Sequence, residues 1–190
     1  AAAAFFRNTD FDGFDRQFPW FRWQVTMSVS EISDRINASL VARQNANPGM
    51  VYFLDASGPR AIGTLTSMEV LRRGQGGNIM EMVFYGTENA VRVQTEFNIR
   101  TLINPGEIPV HRHDGTVSHT PLTLLPSAFF TFEKAHNDGG LQYITIFGGG
   151  NGHGVGKSQN GVRALLDKGL NYVQILQHFY PGTEIQTRSG

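Results

Sequence analysis

The stretch that most constrains this chain is Gly148-Gly149-Gly150-Asn151-Gly152-His153-Gly154-Val155-Gly156, six glycines in nine residues. Glycine loses more backbone freedom on folding than any other residue. A run this dense suits a backbone that must take positive φ angles or come close to another chain or a ligand. Directly after it, Val162, Leu165 and Leu166 fall at i, i+3, i+4, which predicts an amphipathic helix with Gly169 as its C-terminal stop. Asn171 caps a second helix with Tyr172, Ile175, Leu176 and Phe179 as its apolar face, ended by Pro181-Gly182. The C-terminal part is therefore a bare turn feeding a helical pair.

The rest of the chain reads as alternation broken by turn residues. Phe5 to Phe21 is an aromatic, Asp-bearing, irregular lead-in loop. Over Trp20 to Val29, the residues Trp23, Val25, Met27 and Val29 alternate onto one face of a strand. Ser30 is expected to cap a helix that carries Glu31 in its first turn and Ile32, Ile36 and Leu40 on its buried side. Strands follow at Val51 to Leu54, Gly63 to Leu71, Ile79 to Tyr85 and Ala90 to Val93, with a hairpin loop at Gly74, Gly76 and Gly77. Thr95 to Ile103 is a short helix, and Asn104 to Pro126 is irregular. Two more strands, Ser127 to Glu133 and Leu141 to Phe147, lead into the glycine turn. The fold class is α+β: an antiparallel sheet region with an early helix, a short middle helix and a C-terminal helical pair after the Gly-rich turn. Three segments organise it: 5–45 with the Trp-strand and helix, 50–147 mainly β, and 148–190 with the turn and helical pair.

Charge and composition narrow the function classes. Sixteen basic and sixteen acidic residues cancel, so nothing electrostatic favours nucleic acid or an anionic membrane as partner. With no cysteine, disulfides and thiol chemistry are excluded, and an oxidising exterior is compatible. No apolar run approaches the ~20 residues of a membrane span. Ala1 to Ala4 read as a remnant rather than a natural start.

Three constellations carry candidate chemistry. At the glycine turn, backbone N–H groups facing outward join His153, Ser158 and Gln159 in a cluster of donors and acceptors, which suits a polyhydroxylated ligand. A tight structural turn locked by His153 explains the same residues. Gly156-Lys157-Ser158 ends like a phosphate-binding loop, but the required glycine five positions earlier is Asn151, and too little chain follows for a nucleotide-binding sheet. His111, His113 and His119 lie near Asp114. Two histidines at i and i+2 on a strand would point the same way and, with a third, could hold zinc; a polar surface loop bounded by Pro109 and Pro121 is the favoured reading, and no metal or other cofactor is expected. The carboxylates Glu69, Glu81, Glu88, Glu96, Glu107 and Glu133 show no pairing by spacing.

The string Gly152-His153-Gly154-Val155-Gly156-Lys157-Ser158-Gln159-Asn160-Gly161, then Lys168-Gly169, Tyr172, Ile175-Leu176 and Phe179-Tyr180-Pro181-Gly182-Thr183, resembles the C-terminal signature of the stage II sporulation protein D family. Lys157 replaces the family's Met, and Asn160 stands where an aromatic is usual. The resemblance implies peptidoglycan lytic transglycosylases that cleave glycan strands stripped of stem peptides, with non-enzymatic amidase enhancers as the alternative. It implies glycan binding by Gly152, His153, Gly154, Gly156, Ser158 and Gln159, and an extracytoplasmic setting at the cell wall or the outer face of the membrane. The family's catalytic Glu lies in an EMP-like motif before the Trp-strand, outside this chain; Glu81-Met82-Val83 is in the wrong place to replace it. The implied partners are glycan strands, a cell-wall amidase, and a missing N-terminal segment or second polypeptide. That partner is expected to cover Phe5, Phe6, Phe11, Phe14, Phe18, Trp20 and Phe21. The chain alone is expected to be inactive.

Overall fold

The computed structural model describes residues 2–118 and 121–186. Its architecture is α+β, two antiparallel four-stranded sheets with helices packed against them. The first sheet has the order β6-β1-β8-β7, from His111–Arg112, Trp23–Ser28, Gly140–Gly148 and Phe130–Asn137. The second has the order β2-β5-β4-β3, from Val51–Phe53, Ala90–Gln94, Ile79–Gly86 and Leu65–Arg73. One hydrophobic cluster joins them, running from Val25, Met27 and Ile146 through Ile32, Ile36 and Leu40 to Met82, Phe84 and Val93. Among the described residues no helix is long and apolar enough to cross a membrane.

β1 forms for the reason its sequence advertises. Trp23, Val25 and Met27 are buried while Gln24 and Thr26 face out, a two-residue period on a half-buried strand. The chain then turns straight into α2, Val29–Ala46. Its cap is Ser28, not Ser30: the Ser28 hydroxyl accepts from the Glu31 N–H, and the Glu31 carboxylate accepts from the Ser28 N–H, a reciprocal capping box. Ile32, Ile36 and Leu40 form its fully buried stripe. α3, Glu96–Leu102, is capped by Thr95 and closes over the second sheet.

The lead-in departs from expectation. Ala2–Arg7 is a helix, α1, that packs on β7 and β8. Phe6 is buried and stacks edge-on against Phe129, and Phe21 is buried at the end of a 3-10 turn over Pro19–Phe21. Phe18 and Trp20 are half-buried; Phe5, Phe11 and Phe14 remain exposed at 39–45%. The chain itself thus covers part of the aromatic set assigned to a second polypeptide, because α1 and the cation of Arg22 supply the packing.

The C-terminal pair is α4, Gln159–Asp167, and α5, Tyr172–Phe179. α4 ends in a Schellman motif, with Gly169 N–H to Leu166 O at 2.8 Å and Leu170 N–H to Leu165 O at 3.1 Å. Asn171 caps α5 reciprocally with Gln174. The buried faces differ from those expected: α4 buries Gly161, Ala164 and Leu165 and leaves Leu166 exposed, and α5 buries Ile175 and leaves Tyr172 exposed. The close approach of the two helices selects small residues, since a methyl on Gly161 would meet the Phe179 ring at 3.0 Å.

Candidate functional site

The glycine turn hangs between the end of β8 and the start of α4, and its first half is held by the body. Gly149 N–H bonds to Phe129 O at 2.9 Å, Gly150 N–H to Trp20 O at 2.8 Å, and Gly152 N–H to Pro126 O at 2.9 Å. Buried Ser127 donates its hydroxyl to Gly149 O at 2.7 Å, and the Trp23 indole N–H donates to Gly150 O at 2.9 Å. Beyond Gly152 the backbone hydrogen bonds to the sheet side stop. Among the described residues no acceptor reaches the N–H groups of His153, Gly154 or Gly156.

The turn forms one wall of a cleft of about 540 Å³. Gly152, His153, Gly154, Gly156, Ser158 and Gln159 all line it. Trp20, Phe21 and Phe129 line it as well, with Asn78 from the loop between β3 and β4 and Phe179 from α5. Among the described residues, Asp15 is the one carboxylate side chain in the lining.

Two of the polar side chains have their tasks set by local geometry. The His153 Nδ1 accepts from the Val155 N–H at 3.0 Å, so the neutral ring carries its proton on Nε2, as a donor on an exposed residue. The Ser158 hydroxyl accepts from Gly161 N–H at 3.0 Å as the cap of α4. That bond gives the Ser158 hydroxyl a structural role at the start of α4. Lys157 N–H donates to the Tyr180 hydroxyl at 3.2 Å, which ties the turn to the end of α5.

The histidine patch does not gather on one strand. β6 ends at Arg112, and the chain reverses through Arg112 N–H to Thr116 O at 2.8 Å. His111 is exposed; His113 lies past the strand, its Nδ1 3.0 Å from Pro19 O and its ring edge-on to Phe21. His113 N–H still donates to Arg22 O at 3.0 Å, and the segment from His113 on is a turn, in keeping with the favoured loop reading. His119 lies outside the described residues. Among the described residues no three His, Cys, Asp or Glu side chains cluster as a metal would need.

Glu81 has the wrong chemistry for a proton donor. Its carboxylate is buried against Arg92 at 2.6 Å, with the Gln94 amide at 3.1 Å and Arg72 at 3.6 Å. Burial pushes its pKa up, but the hydrogen bonds and charges of Arg92, Gln94 and Arg72 outweigh that and hold it below the usual range. It is ionised at neutral pH.

Sequence reasoning missed Asp15, Trp20, Asn78, Ser127 and Phe129 as parts of the cleft. Most reach it through long-range contacts: Asn78 from the loop between β3 and β4, Ser127 through its bridge to Gly152, and Trp20 and Phe129 through carbonyls that accept from Gly150 and Gly149. No local spacing signals such a meeting.

Comparison with known proteins adds two findings. A family model described as a domain of unknown function (DUF8618) matches residues 2–156, which takes in both sheets and the turn through Gly156. The amidase enhancer of Bacillus subtilis (strain 168) is 49% identical over 63 residues, a third of this chain (33%) and 8% of the relative. The matched stretch is thus a small part of that protein.

Proposed function

The chain belongs to the family described as domain of unknown function DUF8618, and we propose that it is a sporulation-D-like glycan-binding module that enhances a cell-wall amidase. The observation that carries this reading is the cleft, lined by bare backbone and polar side chains together with aromatic rings. Sugars are held in that way, by several hydrogen bonds with a ring stacked on the apolar face of the pyranose. His153 Nε2–H, the Gln159 amide and the free N–H groups of the turn would donate and accept. Trp20 and Phe129 would stack. The likeness to an amidase enhancer supports the partner, and the setting that follows is extracytoplasmic, at the cell wall.

A second reading, a lytic transglycosylase acting on stem-peptide-free strands, is favoured by Asp15, because a carboxyl group is what protonates a glycosidic oxygen. Under the first reading the chain binds stripped glycan without cutting it and raises amidase turnover. His153→Ala or Gln159→Ala would weaken binding about tenfold with an unchanged far-UV spectrum. Binding of stripped strands by both variants as tightly as by the parent would reduce the turn to a structural role. Release of anhydro-sugar ends by the chain alone, abolished in Asp15→Asn, would replace the first reading with the second.

A further inference from the structure

A second cavity, of about 160 Å³, opens beside the N-terminal end of β1, and its lining is cationic. Arg7, Arg22, Arg112, His111 and His113 contribute to it, and among the described residues no Asp or Glu does. Arg7 is already matched, by an ion pair with Glu133. Arg22 and Arg112 are not: among the described residues neither has a carboxylate within ion-pairing distance. Asp15 acts on Arg22, and Asp114 is acted on by Arg112 and His113, only at longer range.

Arg22 is the more demanding of the two. It is 5% exposed, and its guanidinium lies over the ring of Phe21 at 4.1 Å and of Phe5 at 4.9 Å. One Nη donates to Phe21 O at 2.8 Å, but the Nε–H is buried without an acceptor. Burial pulls its pKa down, with Asp15 opposing. Arg112 repeats the pattern: an Nη donates to Val117 O at 2.7 Å, the guanidinium lies over Trp20 at 4.8 Å, and its Nε is also buried without a partner. Stacked rings offset part of the cost of burying a cation but accept no N–H. Two guanidinium groups without a carboxylate partner, each with an unsatisfied donor, beside one small cavity are a match for an acceptor-only group. The volume equals roughly five waters' share of the liquid, enough for one oxyanion head with a water or two and too little for a sugar pair.

We propose that this cavity is a binding site for a compact oxyanion, a carboxylate or a phosphate, held by Arg22 and Arg112. The shared chemistry has two sources: the lactyl carboxylate of a peptide-stripped muramic residue, which rests on the glycan reading above, or free phosphate, which does not.

The test uses the ¹⁵N-labelled 190-residue chain, titrated with sodium phosphate, with N-acetylmuramate, and with N-acetylglucosamine as the carboxylate-free control, at matched ionic strength. The Arg22 and Arg112 Nε–H signals, identified by their loss in Arg22→Lys and Arg112→Lys, should shift saturably with phosphate, with N-acetylmuramate or with both, and not with N-acetylglucosamine. Arg112→Lys keeps the charge but loses the planar fork, and should weaken the anion about tenfold. Because Arg112 is half-buried, that variant carries the test even if Arg22→Lys fails to fold. Phosphate alone would identify a free-anion site, and N-acetylmuramate alone a glycan carboxylate site. Nε–H signals unmoved by either anion up to about 20 mM would overturn the proposal and leave the cavity to water. Failure here is separable from failure of the glycan reading, which is read from His153 and Gln159 variants instead.

Discussion

Alanine at Gly154, set against alanine at Gly150, isolates one contact in the cleft wall. The two glycines have nearly the same positive φ, +74° at Gly150 and +73° at Gly154. Alanine in the left-handed region costs roughly 1–2 kcal/mol, and that cost applies equally to both. The stiffening of the unfolded chain, roughly 0.4–1 kcal/mol in the opposite sense, is shared as well. Their surroundings are what differ. A Cβ on Gly150 meets nothing within 4 Å, whereas one on Gly154 stands 2.4 Å from the Asn78 Nδ2 and 2.7 Å from its Cγ. Asn78 must therefore leave its rotamer, which adds about 0.5–1.5 kcal/mol. Gly154→Ala should thus be destabilised by about 1 kcal/mol more than Gly150→Ala. With a urea slope of about 2–3 kcal/mol/M for a chain of this size, its midpoint should lie lower by roughly 0.3–0.5 M. Urea melts of parent and both variants, followed by tryptophan fluorescence, measure the difference. Coincident midpoints for the two variants would refute the packing of Asn78 on the turn, and with it the second sheet's share in the cleft.

Two further outcomes follow from the ion pairs and caps. The folded-state pKa of Glu81 lies below its unfolded value of about 4.3, so the stabilisation is fully present above that value and fades as pH falls through the folded pKa. The acid limb of a stability-versus-pH curve should accordingly be shallower in Glu81→Gln; an unchanged limb would show that the Arg92 pair adds nothing. Ser158→Ala removes the cap of α4 and should cost about 1 kcal/mol, with faster amide exchange at Gly161 than at Ile36 in the core.

Periodicity made much of the fold legible and almost none of the rest of the cleft's lining. The alternation of Trp23, Val25 and Met27 and the stripe Ile32, Ile36, Leu40 are local patterns, and both survive folding unchanged. The cap of α2 was also written locally, since Ser28 and Glu31 have capping-box spacing. Taking Val29 as a strand residue moved the boundary two residues too far. For α4 the largest apolar residues pointed to Leu166, while the packed face is made of Gly161, Ala164 and Leu165. Helix separation decides that choice, and a single helix does not encode it. Ala2–Arg7 has high helix propensity, hidden by reading its alanines as a remnant. In the cleft, the turn's own residues were readable from their density of glycine. Asn78, Ser127 and Trp20 were not, because hairpin pairing and a 3-10 turn carry them there from 20 to 130 residues away.

The partnership of β1 and β8 also has a temporal side. Trp23 pairs with Gly148 and Ser28 with Tyr143, so β8, which leads into the turn, is joined to a strand more than a hundred residues earlier. At ribosomal rates of about 5–20 residues per second, β8 emerges on the order of ten seconds after β1. Over that interval the nascent chain holds Val25 and Met27 without their main neighbour, while the hairpin of β3 and β4 can close from adjacent sequence. The second sheet is therefore expected to form first and to serve as the template on which the first is completed. The glycine wall of the cleft is then set in place only after β8 has emerged.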